Sequence, residues 1–287
     1  MGHRVIVTRP AHDADVWVTK LQRTGFTAQA LPLIEIAAVT SATDVTALTQ
    51  ACNNFGDYTA CMFVSGNAVE QFFSLISGLK VPLAQLMRGQ AATENIANRL
   101  PNLPRFLAPG PGTVAALLIA GVSATQIDAP APDAAQFDSE ALWHVIGQRD
   151  WRGAKVLIVR GKGDAADTSA GTGRDWLMQQ WQSRGASVDV VSSYERRVAR
   201  LSGAQIELAK AASHDGSVWL FSSSEAVANL VGQPGLQSAN WHSARAIATH
   251  PRIHAAVVLA GWGVVHLSRP ALPDIAQALR SIESKPS

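Results

Sequence analysis

Short apolar segments alternate with stretches of helical spacing along this chain. Residues 4–8 (RVIVT) are rich in β-branched side chains, and residues 12–24 then place apolar side chains at helical intervals before Gly25. Residues 27–37 form a second extended apolar stretch, which Pro32 interrupts. A strand, a helix and a further strand in this order predict a βαβ unit, and therefore an α/β fold built on a parallel sheet.

The same pattern returns in the second half of the chain. Residues 155–160 (KVLIVR) match residues 4–9, the helical stretch that follows ends at Gly185, and residues 187–198 are again extended. The two copies lie about half a chain length apart, which favours a duplication over a chance likeness.

Two further segments are repeated in the same order. FVSGNAV at 63–69 matches FSSSEAV at 221–227, and LAPGPGTVAALLIAG at 107–121 matches IATHPRIHAAVVLAG at 247–261. The matched segments indicate an internal duplication of one α/β unit. Taken alone, this periodicity predicts two consecutive domains that meet near residue 135.

The composition is that of a protein with sizeable apolar cores and a weakly charged surface. Apolar residues make up 47% of the 287 residues, charged residues 16%, and the net charge is +2. An average domain has about 25% charged residues. Because disorder requires low hydrophobicity and high net charge, this composition excludes extensive disorder. The sequence has no cluster of basic residues of the kind that binds nucleic acid. No apolar run reaches the roughly 20 residues of a membrane span, and no signal-peptide core is visible. We expect a cytoplasmic protein that binds neither membranes nor nucleic acids.

Motifs for cofactors and metals are absent from the sequence. There is no GxxxxGK[ST] loop, and Gly161 and Gly163 lack the third glycine of a dinucleotide-binding turn. The histidines are scattered, and two cysteines, Cys52 and Cys61, are too few for a disulfide framework or a four-thiolate zinc site. We therefore expect no cofactor, no metal and two buried thiols.

Turns rich in hydroxyls and glycine connect several predicted strands to the helices that follow. The N-terminus of a helix presents unpaired N–H groups and a positive dipole end, and ligands of parallel α/β sheets lie at the carboxyl ends of the strands. A single turn of this kind is also explained by helix capping alone, but several on two similar lobes favour an anion-binding cleft. The turn residues are Ser65, Gly66, Asn67, Gly112, Thr113, Ser222, Ser223 and Ser224.

Two arginines and a tyrosine add candidate chemistry. Arg9 and Arg160 end equivalent predicted strands, where each would serve either carboxylate recognition or a structural ion pair. Tyr194 lies in the extended segment after the second βαβ unit. It is either a packing residue between lobes or a phenol directed into a cleft as a proton donor.

A series of motifs in a fixed order covers nearly the whole chain and resembles the uroporphyrinogen-III synthase family. The motifs are VIVTRP (5–10), LPLIEI (31–36), FVSGNAV (63–69), APGPGT (108–113), LIVRGKG (157–163), SSYERR (192–197), FSSSEAV (221–227) and ATHPRI (248–253). The resemblance implies an α/β fold of two similar, doubly wound parallel-sheet lobes joined by a two-stranded linker. Residues 1–35 and 190–287 would form a discontinuous lobe, residues 38–187 the inserted lobe, and segments near 31–37 and 188–197 the linker.

The resemblance also implies an activity. The family acts as a cyclising lyase without a cofactor and converts hydroxymethylbilane, a carboxylate-rich linear tetrapyrrole, to uroporphyrinogen III in haem biosynthesis. The terminal hydroxyl leaves, and closure through a spiro intermediate inverts ring D. Tyr194 matches the tyrosine that assists the leaving hydroxyl. The candidate substrate-binding residues are then Arg9, Ser65, Gly66, Asn67, Gly112, Thr113, Arg160, Ser222, Ser223, Ser224 and Arg252.

Two departures from the family pattern stand out. Ile253 occupies a position where a threonine is common, which puts one hydroxyl contact in doubt and makes Arg252 or His250 the candidate replacement. Residues 164–172 separate Gly163 from Gly173, which usually follow each other directly, and they are interpreted as a surface insertion.

The expected partners are the substrate and, transiently, porphobilinogen deaminase, with the protein acting as a monomer. Two alternatives compete with the synthase. One is a non-catalytic bilobal protein that binds an anionic small molecule, which ligand binding without turnover would support. The other is a two-lobed sugar-nucleotide transferase, which would need a nucleotide site.

Overall fold

A computed structural model describes residues 3–78, 104–163 and 172–283, where the chain forms ten α-helices and eleven β-strands. Most of the predicted insertion at 164–172 lies outside these residues. The helices are α1 Ala11–Arg23, α2 Ala42–Asn53, α3 Gly66–Gly78, α4 Pro111–Ile119, α5 Ser139–Ile146, α6 Thr172–Ser183, α7 Gly203–Ala212, α8 Ser224–Val231, α9 Pro251–Leu259 and α10 Leu272–Glu283. The strands are β1 Val5–Val7, β2 Ala28–Ala30, β3 Ile34–Ala37, β4 Ala60–Phe63, β5 Arg105–Leu107, β6 Ile127–Asp128, β7 Lys155–Lys162, β8 Ser187–Val198, β9 Val218–Phe221, β10 Arg245–Ala248 and β11 Val264–Leu267.

The chain divides into two compact units. Met1–Glu35 and Arg197–Ser287 form one, here called the discontinuous unit, and Ile36–Arg196 form the other, the inserted unit. The division passes through β3 and β8. Residues 190–196, expected in the discontinuous lobe, belong to the inserted unit, because β8 stays paired with β7 as far as Glu195.

Each unit contains one parallel sheet. The discontinuous unit has the strand order β11-β10-β9-β1-β2, and these strands run parallel. The inserted unit has the order β3-β8-β7-β4-β5-β6, parallel from β8 to β6. The predicted α/β class with parallel sheets is confirmed. The extended stretch expected at 27–37, interrupted by Pro32, forms two strands on either side of this proline, and β2 and β3 pair in different sheets.

The matched sequence segments occupy matching places in the two sheets. β1 corresponds to β7, β9 to β4 and β10 to β5, so the spatial order β2-β1-β9-β10-β11 in one unit equals β8-β7-β4-β5-β6 in the other. The chain enters this arrangement at a different strand in each unit. Two consecutive domains that meet near residue 135 are therefore wrong, since β7 and β4 are neighbours in one sheet.

Both faces of the six-stranded sheet are buried. Alternate residues of β4 and β7 belong to two separate apolar clusters: Cys61 and Leu157 pack on one face, and Met62 and Ile158 on the other. Helices therefore cover the sheet on both sides, as a doubly wound fold requires. No helix among the described residues has the length and apolar character needed to cross a bilayer.

Two glycines end equivalent helices, as predicted. Gly25 follows α1 with a φ of +92°, and Gly185 follows α6 with a φ of +82°. This left-handed conformation is open to glycine at little cost and satisfies the last helical carbonyl groups. The N–H of Gly25 accordingly donates to the carbonyl of Gln22, and that of Gly185 donates to the carbonyl of Gln182.

A buried carboxylate joins the edge of the six-stranded sheet to the loop before β7. Asp128, at the end of β6, accepts hydrogen bonds from Arg105 at 2.6 and 2.9 Å and from Arg149 at 2.6 and 2.7 Å. Burial by itself would raise the pKa of Asp128. The hydrogen bonds and charges of the two guanidinium groups outweigh burial and lower this pKa from 3.8 to about 2.

We predict that Asp128→Asn lowers the free energy of unfolding by about 1.5–3 kcal/mol at pH 7, the range for hydrogen bonds to a charged group. Because the pKa of Asp128 is lower in the folded state, its stabilisation is complete above about pH 4 and is lost as the pH falls toward 2. Urea unfolding at pH 7 and pH 3 measures both effects.

The control is Asp150→Asn. Asp150 pairs with Arg152 at 2.8 Å, but both side chains are largely exposed, so water screens this pair. We expect no measurable change in the unfolding midpoint. A pH-independent loss of stability in Asp128→Asn would contradict the assignment of the effect to charge.

Candidate substrate site

Turns at the carboxyl ends of β4 and β5 lie next to each other in the inserted unit. α3 begins at Gly66 directly after the turn residue Ser65, and α4 begins with Pro111 at its first position. A Cβ atom on Gly66 would lie 3.5 Å from both the Ala116 Cβ and the carbonyl oxygen of Gly112. The N-termini of the two helices, with their positive dipole ends, therefore meet at one edge of the sheet.

Tyr194 reaches the first of these turns from β8. The residue is 3% exposed, and its hydroxyl lies 3.1 Å from the Ser65 Oγ. The Ser65 Oγ also accepts the N–H of Ala68 at 3.1 Å and so caps α3. The structure thus brings the predicted catalytic phenol and a predicted substrate-binding hydroxyl into one hydrogen-bonded pair.

The direction of this hydrogen bond matters for its chemistry. Ser65 already accepts the Ala68 N–H, and its own hydroxyl proton is available for donation. When Ser65 donates to the Tyr194 oxygen, the phenolic proton is left for a third group, and the same hydrogen bond stabilises negative charge that develops on the phenol oxygen.

The other predicted positions of the inserted unit occupy the same strand ends. Thr113 is 5% exposed within the first turn of α4, whereas Gly112 is exposed and Asn67 is half-buried in the first turn of α3. Arg160 is half-buried near the carboxyl end of β7. The sheet therefore collects all of these residues at one edge of the inserted unit.

The equivalent turns of the discontinuous unit are built differently. Ser223 occupies the N-cap position of α8, equivalent to Ser65, but its side chain makes no capping hydrogen bond. Ser222 is half-buried and Ser224 is exposed. The hydroxyls of this turn are thus not engaged in helix capping in the way that Ser65 is.

The departure at Ile253 has a structural explanation. Ile253 is 7% exposed in the first turn of α9, at the position that Thr113 occupies in α4 with 5% exposure. His250 caps α9 through its Nδ1, which accepts the N–H of Arg252 at 3.1 Å. The Arg252 side chain is exposed. Ile253 therefore packs in the core, and His250 supplies the polar contact of this turn.

Arg9 is a half-buried cation whose Nε atom is buried and has no hydrogen-bond partner. The residue follows β1, and its guanidinium carbon lies 4.7 Å from the centre of the Trp17 ring. Burial lowers the pKa of Arg9, and the charge of Asp13 opposes this shift only in part. An anion bound at the carboxyl end of β1 would satisfy this group.

Several of these features were not visible in the sequence. Trp17 beneath Arg9 and the contact between Gly161 and the Tyr194 ring depend on packing across elements. Tyr58 lies before β4, at the opposite end of that strand, and donates to the Asp189 carboxylate at 2.8 Å. Gly161, inside the strand segment LIVRGKG, is a local signal for the close approach of another residue, because glycine within a strand often marks such a place.

The remaining titratable groups give no second reactive centre among the described residues. Cys52 and Cys61 are both buried, and burial raises the pKa of Cys52 to about 12, which keeps that thiol protonated. Within the same part of the chain, no three histidine, cysteine or acidic side chains are grouped closely enough to hold a metal ion.

A comparison with protein-family models identifies the family of this chain. The model described as "Uroporphyrinogen-III synthase HemD" matches residues 15–277. The chain belongs to the uroporphyrinogen-III synthase family. The resemblance inferred from the motif series is thereby confirmed, although a comparison with curated proteins gives no significant match.

Solved structures of uroporphyrinogen-III synthases share this fold. A mutant enzyme from the extremely thermophilic bacterium Thermus thermophilus is 15% identical, with 98% of each chain covered and a TM-score of 0.54. The enzyme from Helicobacter pylori is 15% identical, with 99% of this chain and 100% of that chain covered and a TM-score of 0.50. At 15% identity, this structural similarity shows that the chain shares the fold of these synthases.

The pair of equivalent serines gives a stability prediction. Ser65→Ala removes the acceptor of the Ala68 N–H and should lower the free energy of unfolding by about 1 kcal/mol, whereas Ser223→Ala removes no capping bond and should not. Urea unfolding followed by circular dichroism measures both variants. Equal losses in the two variants would show that the Ser65 cap does not contribute.

Proposed function

We propose that this protein closes hydroxymethylbilane to uroporphyrinogen III, with inversion of ring D and loss of water. Membership of the uroporphyrinogen-III synthase family supports the reaction. The observation that carries the assignment to a site is the buried Tyr194 hydroxyl, 3.1 Å from the Ser65 Oγ at the edge of the sheet where helix N-termini converge.

Tyr194 is the proton donor for the first step in this proposal. The C–O bond of the terminal hydroxymethyl group breaks, the hydroxyl takes the phenolic proton and leaves as water, and an electron-poor azafulvenium cation remains beside the Tyr194 phenolate. Ser65 donates to the phenol oxygen while this charge develops.

The orientation in which the protein holds the substrate then determines which uroporphyrinogen isomer forms. Ring D is attacked at its substituted carbon, and the spiro intermediate opens and closes again with that ring inverted. The proton lost when the pyrrole is restored returns to Tyr194. The sequence of steps neither oxidises nor reduces the substrate, so it needs no redox cofactor, and the protein contributes proton transfer and orientation.

The carboxylates of the substrate require hydrogen-bond donors, and the candidate donors lie in the turns that follow the strands. We assign carboxylate binding to N–H groups at the starts of α3, α4 and α8, to the guanidinium groups of Arg9, Arg160 and Arg252, and to the neighbouring polar side chains. The turn residues in this assignment are Ser65, Gly66, Asn67, Gly112, Thr113, Ser222, Ser223 and Ser224.

The remaining expectations belong to the same proposal. We propose a monomer with two lobes linked through the strands near 31–37 and 188–197, acting in the cytoplasm without nucleic acid or membrane. Substrate would arrive in transient contact with porphobilinogen deaminase. The unpaired thiols of Cys52 and Cys61 support a reducing compartment. Family membership disfavours the alternative of a non-catalytic protein that binds an anionic small molecule.

Tyr194→Phe should lower kcat by about a hundredfold, toward the lower end of what a general acid contributes, with little change in KM. Residual activity is expected because the orientation of the substrate remains. The assay generates hydroxymethylbilane from porphobilinogen with a deaminase, oxidises the products and separates uroporphyrins I and III by chromatography.

Tyr58→Phe is the matched control for this variant. Tyr58 donates to Asp189 at the amino end of the strands, so wild-type kcat is expected. Wild-type turnover of Tyr194→Phe would remove the phenol from the mechanism, and isomer I as the main product of the unaltered protein would refute the proposed function.

Arg9→Gln should raise KM by about ten- to a hundredfold and leave kcat nearly unchanged, because the loss of a charged hydrogen bond weakens binding of the ground state. Arg4→Gln, at the other end of β1, is the control, since Arg4 pairs with Asp215 away from the proposed site. An unchanged KM for Arg9→Gln would assign Arg9 to packing against Trp17.

A further inference from the structure

The phenol of Tyr194 crosses a neighbouring strand to reach Ser65. In the inserted sheet β7 lies between β8 and β4, and Ser65 follows β4. Neighbouring strands are about 4.8 Å apart, so a side chain on β8 must pass over β7 to meet a turn at the end of β4. The residue of β7 beneath this path is Gly161, which is paired with Tyr194.

Gly161 leaves the space in which the ring lies. A Cβ at this position would be 2.3 Å from the Tyr194 Cζ and 2.7 Å from its hydroxyl oxygen, far inside van der Waals contact. The φ of Gly161 lies outside the left-handed region, so the need for glycine comes from space and not from backbone conformation. The clash would fall on the end of the ring that carries the hydroxyl.

A one-residue bulge directs Tyr194 to this face of the sheet. Arg160 pairs with Ser192 and Gly161 pairs with Tyr194, so Ser193 is an extra residue in β8. Val191 and Tyr194 would face opposite sides of a regular strand, because they are three positions apart. Both instead belong to the apolar cluster on the α3 side, since the extra residue inverts the alternation.

Ser193 ties the bulge to the first turn of α3. It is 4% exposed, and its hydroxyl donates to the carbonyl oxygen of Ala68 at 3.3 Å. The N–H of the same Ala68 donates to Ser65. One residue of α3 therefore contacts both the serine that reshapes β8 and the serine that binds the phenol.

We propose that Gly161, together with the bulge at Ser193, positions the Tyr194 hydroxyl against Ser65 for proton donation. Gly161 is thus a positioning residue for the reaction of the proposed function, on which this inference rests. A merely structural glycine would affect stability without a specific effect on the tyrosine. The two roles are distinguished by observing the phenol directly.

The chain contains only two tyrosines, which makes that observation practical. Protein labelled with 3-fluorotyrosine should give two ¹⁹F resonances, and the Tyr58→Phe variant assigns them. We expect Gly161→Ala to shift the Tyr194 resonance and leave that of Tyr58 in place. In the isomer assay, Gly161→Ala should lower kcat about as much as Tyr194→Phe, with a small change in KM.

Gly203→Ala serves as the matched control, because nothing lies within 4 Å of a Cβ at Gly203. Both fluorine resonances and kcat should remain at their wild-type values in this variant. A Tyr194 resonance and a kcat unchanged by Gly161→Ala would overturn the proposal.

A second background keeps the test informative if Gly161→Ala folds poorly. Tyr194→Ala removes the ring that the new methyl group would meet. In that background we expect Gly161→Ala to change neither the urea midpoint nor the residual turnover. An equally large loss of stability in both backgrounds would show that Gly161 acts independently of Tyr194 and would overturn the proposal.

The positioning role and the proposed function fail separately. The fluorine shift and the unfolding comparison require no turnover. A protein that gives no uroporphyrin III but shows the expected shift would refute the synthase activity and leave the placement of the phenol standing. Normal synthase activity of the unaltered protein, with a Tyr194 resonance that does not move in Gly161→Ala, would support the proposed function and refute the positioning role of Gly161.

Discussion

The parallel direction of neighbouring strands is the constraint on which this structure depends. Each return to the same end of a sheet requires a crossing over one of its faces, and helices on both faces bury the central strands β1, β4 and β9 completely. All strand-to-helix turns are then collected at one edge. In the inserted unit this edge holds the capping hydroxyl of Ser65 and the N-termini of α3 and α4, although their residues are distant in sequence.

The two units share one sheet topology but differ in the details of their strands and turns. The five corresponding strands have the same order in both units, and the inserted unit adds β3. β7 and β8 are long and carry a bulge, whereas β1 and β2 are three residues each and pair without interruption. The threonine of the α4 turn corresponds to a core isoleucine in α9. The hydroxyl pair of the candidate site lies in the inserted unit, and the buried, unpaired guanidinium nitrogen of Arg9 lies in the discontinuous unit.

The hydroxyl pair depends on several weak features acting together. The bulge turns Tyr194 toward α3, the missing side chain at Gly161 leaves its ring a path, and Ser65 accepts an N–H of α3 while it meets the phenol. None of these features needs a strong interaction. Their combined effect is to hold one hydroxyl in a buried position with a defined partner, which limits the reorganisation required during proton transfer.

The sequence by itself determined the fold class, the duplication and the strand-to-helix turns, because these follow from local periodicity and from matching segments. It also indicated Tyr194 and Ser65 through the family resemblance. Only the tertiary structure decided which strands are neighbours, that β8 stays with the inserted unit to Arg196, and that Gly161 faces the tyrosine ring. A one-residue bulge reverses the side of the sheet that a residue faces, and pairing across strands depends on packing over the whole unit, so neither leaves a local pattern in the sequence.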